Sequence, residues 1–438
     1  MFSKVLMHPT HSQKTTGPTI ELRVEEAIVL STDVPLKESS SIPTVRSLAH
    51  KSLGWFLLIV LVSAIPAFLE GFDSELYFFG SPYIVHNVHG TVALLGSIGT
   101  GFALGIAIFS IVGGYLFDRF SVKYTIILSV VIFAVFTIMT GYATSPAMLF
   151  LARFLVGIGV GIFQPAIVAL LGDIFFETRG RAVSAFAVFF GAGLFAGPLL
   201  ITPFLPHYQT PFVISGVAAV ISLIAFYLVL PPTYKKIEKR TVGFAGIFHR
   251  NVLILSGSIF MFGIALFGYL GYYSDYLLKG LALAPGTAAA VASMGGLGGL
   301  ICAFPIGYLA DRFGRKYIVS LAAFLIMIGS LGMFAVSSNV SALIVFTFTF
   351  GAGWGIYVDL AATMGQDSVD DSIAGTVTGW LFLIFNVGAL LGGPIFAALI
   401  PSGFRLAGLV TLGLSSVISL FLTLLTRPVL ESNIVATE

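Results

Sequence analysis

The sequence predicts an all-α membrane protein that crosses the bilayer twelve times, as two six-helix repeats with both termini in the cytoplasm. Three observations lead there. First, the 438 residues are 57% hydrophobic and only 10% charged, whereas soluble domains carry about a quarter charged residues. A water-facing surface cannot absorb so much apolar area, so lipid must be the solvent for most of the chain. Second, twelve apolar runs approach or exceed the roughly 20 residues that a spanning helix needs. Third, segments of the first half return in the second at a nearly constant offset.

In chain order, residues 1–52 are rich in Ser, Thr, Pro, Lys and Glu and read as a disordered cytoplasmic tail. The first apolar run begins at residue 53, too far along for a cleaved signal peptide, and is read as a spanning helix. The runs fall at 53–80, 91–117, 124–142, 147–172, 182–203, 211–230, 251–278, 286–309, 317–336, 340–365, 375–400 and 405–426. Residues 53–230 thus form one bundle and 251–426 a second. The polar stretch PPTYKKIEKRTVGFAGIFHR (231–250) links them, and 427–438 form a closing tail.

Orientation follows from Lys and Arg in the short loops, which stay on the cytoplasmic side. Loops on the side of the N-terminus hold Arg119, Lys123, Arg179, Arg181, Lys235, Lys236, Lys239, Arg240, Arg250, Arg312, Arg315 and Lys316, and the opposite loops hold Lys279 and Arg405. The repeat is visible in GYLFDRFSVK (114–123) against GYLADRFGRK (307–316), in GIGVGIF (157–163) against GAGWGIY (351–357), and in the pairs Gly197–Pro198 and Gly393–Pro394. Six plus six helices in a parallel repeat are how alternating-access carriers are built, with the site between the halves.

At GYLADRFGRK the sequence resembles the major facilitator superfamily of secondary transporters, over about residues 53–426. The first-half copy keeps Gly114, Asp118, Arg119 and Lys123 but has Ser121 and Val122 where the family usually has Gly and Arg. The resemblance implies a cytoplasmic gate, a charge clamp built on Gly114, Asp118, Arg119, Gly307, Asp311, Arg312, Gly314 and Arg315. Asp118 is expected near a helix N-terminus, where a negative charge is favoured. LFLARFLVGIGVG (149–161) is similar to the family's helix 4 motif, and its Gly157, Gly159 and Gly161 let helix backbones approach closely. GAGLFAGPLL (191–200) weakly resembles a helix 5 motif of drug–proton antiporters.

The candidate site lies in FLEGFDSELYFFGSPY (68–83). Carboxylates at bilayer depth cost several kcal/mol and face protein or a water-filled cavity. At 100° per residue, Glu70 and Asp73 share a face about 60° wide and are expected to line a cavity, with Tyr77 a turn later. Glu75 points elsewhere and is expected to reach the outer interface. With helix 1 ending near residues 80–83, Asp73 lies about 10–15 Å below the outer surface. Arg153 in helix 4 lies about 9 Å below it, so the two are expected to pair. An acid that binds or loses a proton as an arginine partner comes and goes is what proton coupling requires. Asp359 in helix 10, at the repeat position of Pro165, is a further proton site or a polar anchor. Gln164, Trp380 and Asn386, with Tyr77 and Arg153, are candidates for the substrate. Asp275 is read as the i,i+4 partner of Lys279.

EGFD, followed by Gly80 and Pro82, resembles the helix 1 signature of aromatic-acid and related metabolite:proton symporters. That resemblance places coupling on Glu70 and Asp73. The sequence thus favours a proton-coupled importer of a small organic acid or related metabolite. A proton-coupled drug or metabolite exporter comes second. A sugar:proton symporter comes third, since no PESPR-type segment joins the halves. An intramembrane enzyme lacks sequence support: there is no HExxH, no His cluster and no G-x-S-x-G elbow. The expected partners are a small-molecule substrate, protons and the lipid bilayer of the cell membrane, with no nucleic acid, no metal and no cofactor, in a monomer. The lone Cys302 excludes an intramolecular disulfide and reads as a small buried hydrophobe.

Overall fold

The computed structural model describes residues 53–119, 121–174, 179–230, 247–336, 338–369 and 371–428, all within one compact unit, Ile42–Glu438. The expected N-terminal tail, residues 231–246 of the linker and the chain from 429 lie outside the described residues.

In lipid every backbone polar group must be satisfied internally, and the described residues form helices joined by short connections, with no strand among them. The helices are α1 (Leu53–Asn87), α2 (Val92–Arg119), α3 (Val122–Gly141), α4 (Pro146–Ile174), α5 (Arg179–Ile201) and α6 (Gln209–Val229) in the first half. The second half holds α7 (Arg250–Asp275, prolonged by a π-turn at Tyr276–Gly280), α8 (Pro285–Phe313), α9 (Arg315–Ala335), α10 (Val340–Gln366) and α11 (Asp371–Leu399). It closes with α12, which runs Phe404–Gly408, loosens into a π-turn at Leu409–Leu414, and resumes at Ser415–Leu424. Among the described residues eleven of these are long and apolar enough to cross a membrane, and α2 contributes the shorter apolar stretch Leu94–Ser110.

Packing repeats between the halves. Helix α1 packs on α5 and α6 as α7 packs on α11 and α12, and α4 packs on α2 and α3 as α10 packs on α8 and α9. Small residues make this possible. A β-carbon at Gly71 would lie 2.2 Å from the Phe190 carbonyl oxygen, and one at Gly193 would lie 2.1 Å from that of Phe68. The glycine inside EGFD is therefore where α5 touches α1. In the helix 4 ladder, Gly157 and Gly161 face α2 while Gly159 faces α3. Large apolar side chains such as Leu228, Val345 and Phe421 are exposed on the outside, where lipid is their solvent.

Helix α1 is longer than its sequence suggested. Gly80-Ser81-Pro82 reads as a stop, yet the helix continues to Asn87 with Pro82 inside it. Proline lacks the N–H that would bond the carbonyl four residues back, which frees the Phe78 carbonyl. The Ser81 hydroxyl donates to it at 2.8 Å.

That freed carbonyl also helps to join the halves. We call the end with the α2–α3 and α8–α9 connections the basic end, and the other the far end. The Ser274 hydroxyl of α7 donates to the Phe78 carbonyl at 2.9 Å. The Thr100 hydroxyl of α2 donates at 3.0 Å to the Leu390 carbonyl of α11, which Pro394 frees in the same way. The Gly96 N–H donates to the Tyr272 hydroxyl at 2.9 Å. Each of these residues lies in the far half of its helix, so the halves are closed against each other there.

Candidate functional site

Arg153 on α4 is fully buried and Asp73 on α1 is 1% exposed. The arginine Nη1 donates to Asp73 Oδ2 at 2.8 Å. Its guanidinium carbon lies 4.5 Å from the centre of the Tyr77 ring and 4.8 Å from that of Phe102, so two aromatic rings flank the cation. The contact is single rather than bidentate. Nε and Nη2 of Arg153, Oδ1 of Asp73 and the Tyr77 hydroxyl make no hydrogen bond with the described residues. The expected pairing is present although the depth argument behind it was wrong. With α1 reaching Asn87, Asp73 lies about 21 Å along the helix from that end, against about 10 Å for Arg153 from the start of α4. The helix ends are not level.

Glu70 also turns to α4, where Gln164 Nε2 donates to its Oε1. Its Oε2 makes no hydrogen bond with the described residues. A small pocket beside it is lined by Pro66, Val130, Phe133, Val160 and Phe163. Glu70 thus borders a small pocket, one walled by helices of the first half. The two acids lie within one turn of α1, while their partners Arg153 and Gln164 lie on one face of α4, about three turns apart.

Tyr77 and Phe102 begin an aromatic chain across the seam. Phe78 packs edge-on against Tyr77, Phe102 and, in the second half, Phe267, and Phe267 meets Phe385. The other proposed substrate contacts are committed within the second half. Trp380 Nε1 donates to the Ser256 hydroxyl at 2.9 Å, and Asn386 Nδ2 donates to the Phe382 carbonyl at 2.8 Å. Asp359 is exposed on α10, and among the described residues its carboxylate makes no ion pair.

Two acids sit elsewhere than the sequence indicated. Glu75 does not reach an interface. Because α1 runs on to Asn87, Glu75 is about 18 Å from its end, and it is buried between α1, α7 and α8. Asp118 occupies the last turn of α2 rather than a helix N-terminus. Asp275 is held as expected, fully buried with Lys279 at 2.7 Å.

Of the gate residues, Gly114, Asp118 and Arg119 lie on α2 and Asp311 on α8, and the side chains of those three charged residues lie outside what is described. Gly307 meets the Ile356 side chain of α10. Arg312 is exposed, near the Phe313 ring. Gly314 takes φ +90°, a conformation that a side chain would strain, and so turns α8 into α9. Arg315 pairs with Asp367 just past the end of α10, which ties two connections of the same half together. Asp367 carries no signal in the sequence because it sits in a loop of ordinary composition. Nor did scattered hydroxyls reveal the buried Ser258, Tyr357, Ser419 and Thr423 cluster, whose oxygens lie 2.7–3.1 Å apart.

The model of the Major Facilitator Superfamily matches residues 63–393 and 255–437. The 4-hydroxybenzoate transporter PcaK of Pseudomonas aeruginosa is 22% identical over 398 residues, covering 81% of this chain and 88% of that one. Multidrug resistance protein 1 of Bacillus subtilis is 26% identical over 335 residues, covering 72% and 84%. Among solved structures, the nucleoside transporter NupG (D323A mutant) superposes with a TM-score of 0.71 at 13% identity, covering 84% of this chain and 100% of that one. A bacterial homologue of the human lysosomal transporter Spinster, inward-facing and unoccupied, gives 0.69 at 17%, covering 85% and 98%.

Proposed function

This chain belongs to the Major Facilitator Superfamily and is a multi-pass membrane transporter, and from that premise we propose that it imports a small organic acid together with protons. The observation that carries the reading is the incomplete pair at the centre of the first half. Arg153 cannot shed its charge, has two nitrogens, Nε and Nη2, that its acid does not use, and lies between two aromatic rings. That arrangement suits a carboxylate joined to a flat, apolar body. The named substrate of PcaK, 4-hydroxybenzoate, has that chemistry, which supports an aromatic or similar acid here.

In this reading the basic end faces the cytoplasm. A proton from the far side neutralises Asp73 and loosens its hold on Arg153. The substrate carboxylate then takes the guanidinium, the halves rock, and substrate and proton leave at the basic end. Glu70, held by Gln164, is the neighbouring acid that can share the proton. The similarity to a multidrug resistance protein favours export by proton exchange as the second reading. Purified protein in liposomes, given radiolabelled 4-hydroxybenzoate and an imposed pH gradient, tests both. Accumulation on the alkaline side supports symport, accumulation on the acidic side supports exchange, and no gradient-driven flux with a panel of aromatic and aliphatic acids refutes acid transport.

A further inference from the structure

We propose that Glu75 is a second proton-binding site, set in the far-end seam, which must be protonated for that end to close. The site stands apart from the Asp73–Arg153 pair and does not depend on the identity of the substrate.

The seam around Glu75 is a small pocket lined by Glu75, Phe78 and Phe79 of α1, Tyr269, Tyr273 and Ser274 of α7, and Ala292 of α8. Both halves contribute walls, so parting the halves opens it. Helix α5 closes the back, where a β-carbon at Gly197 would lie 2.4 Å from that of Glu75. Glu75 as a residue is 8% exposed, and its carboxyl group makes no ion pair among the described residues.

Nearby hydroxyls are already engaged. Tyr273 is hydrogen-bonded to Thr347 at 2.6 Å, Tyr269 donates to the Ala292 carbonyl at 3.4 Å, and Ser274 donates to the Phe78 carbonyl. The titratable groups facing the pocket are the phenols of Tyr269 and Tyr273. Helix α5 from Phe186 to Ile201 and α8 from Pro285 to Ala310 carry no charged side chain. On α1 itself Asp73 is held by Arg153 and Glu70 by Gln164. Beyond the pocket, Asp275 is held by Lys279.

A charged carboxylate here would be buried with neither a cation nor a free donor, at a cost of several kcal/mol. The neutral acid avoids that cost. Once the halves part, water reaches the pocket and the charged form is again the favoured one. Closing the far end therefore takes up a proton at Glu75, and opening releases it. By linkage, raising the pH shifts the balance toward the open far end, by at most about tenfold per pH unit for one proton.

The test is electron–electron resonance between spin labels on His86→Cys and Ser402→Cys, exposed far-end positions in opposite halves, with Cys302→Ser, in nanodiscs from pH 5 to 9 without substrate. In this parent a longer distance should gain population as pH rises. Glu75→Gln, isosteric and permanently neutral, should hold the short distance throughout, and Glu75→Asp should keep a pH response. A parent without a pH response, or Glu75→Gln responding as the parent does, overturns the proposal. If Asp73→Asn abolishes the response and Glu75→Gln does not, the switch belongs to Asp73 and the transport reading above survives.

Discussion

Replacing Arg153 with methionine should uncover how much the central pair matters, because the damage comes from what is left behind. Arg153→Met keeps most of the volume between the Tyr77 and Phe102 rings but leaves Asp73, 1% exposed, without its cation. Removing one partner of a buried pair costs about 3–5 kcal/mol, whereas removing both charges is often nearly neutral. At roughly 2–4 °C per kcal/mol for a body of 150–250 residues, the single variant should unfold on the order of 10 °C lower than the parent. Adding Asp73→Asn to it should restore at least half of that loss. Thermal unfolding in detergent, followed by tryptophan fluorescence, gives the four midpoints of the cycle. A double variant that unfolds at or below Arg153→Met would show that the two charges do not support each other, and the reasoning about the site would fail with it.

Other consequences follow from single contacts. Gln164→Leu leaves Glu70 without its donor and should cost about 1–3 kcal/mol, read as a lower unfolding midpoint that Glu70→Gln restores; an unchanged midpoint refutes that role. Pro82→Ala together with Pro394→Ala returns two carbonyls to their own helices. Since each weakened seam bond contributes about 1 kcal/mol, the pair should raise the open far-end population roughly tenfold or more, measured between labels at 86 and 402. Unchanged distances would mean that these bonds do not hold the seam. Asp359→Cys, with Cys302→Ser, should react with small polar thiol reagents in membranes, and failure to react with or without substrate would place this side chain in a packed or lipid setting.

The sequence made the helical frame legible because lipid imposes one requirement, a run of apolar residues with its backbone bonded internally. The packing repeats between the halves that the motifs match, and the helix 4 glycines sit where helix backbones approach closely, as the ladder implies. Arg153 and Asp73 were legible for the same reason: a charge at depth has few places to go. Glu75 was misplaced because a proline at 82 looked like a helix end, when tertiary packing and the Ser81 hydroxyl carry the helix past it. Trp380 and Asn386 could not be sorted from the sequence, since a polar side chain that bonds its own half looks the same as one awaiting a ligand. The Arg315–Asp367 pair and the proline-freed carbonyls at the seam depend on which loops and helices meet, and one-dimensional spacing does not carry that.

The central claim is that proton binding at Asp73 drives transport, and Asp73→Asn tests it most directly. The variant is neutral at every pH, so it mimics the protonated acid permanently. In the same proteoliposomes, uptake driven by a pH gradient is measured beside counterflow, the exchange of labelled for unlabelled substrate. Counterflow needs no net proton movement. The account predicts that Asp73→Asn loses gradient-driven accumulation while counterflow persists. Full gradient-driven accumulation by Asp73→Asn would contradict it and move the coupling acid elsewhere, with Glu70 and Asp359 the next to test.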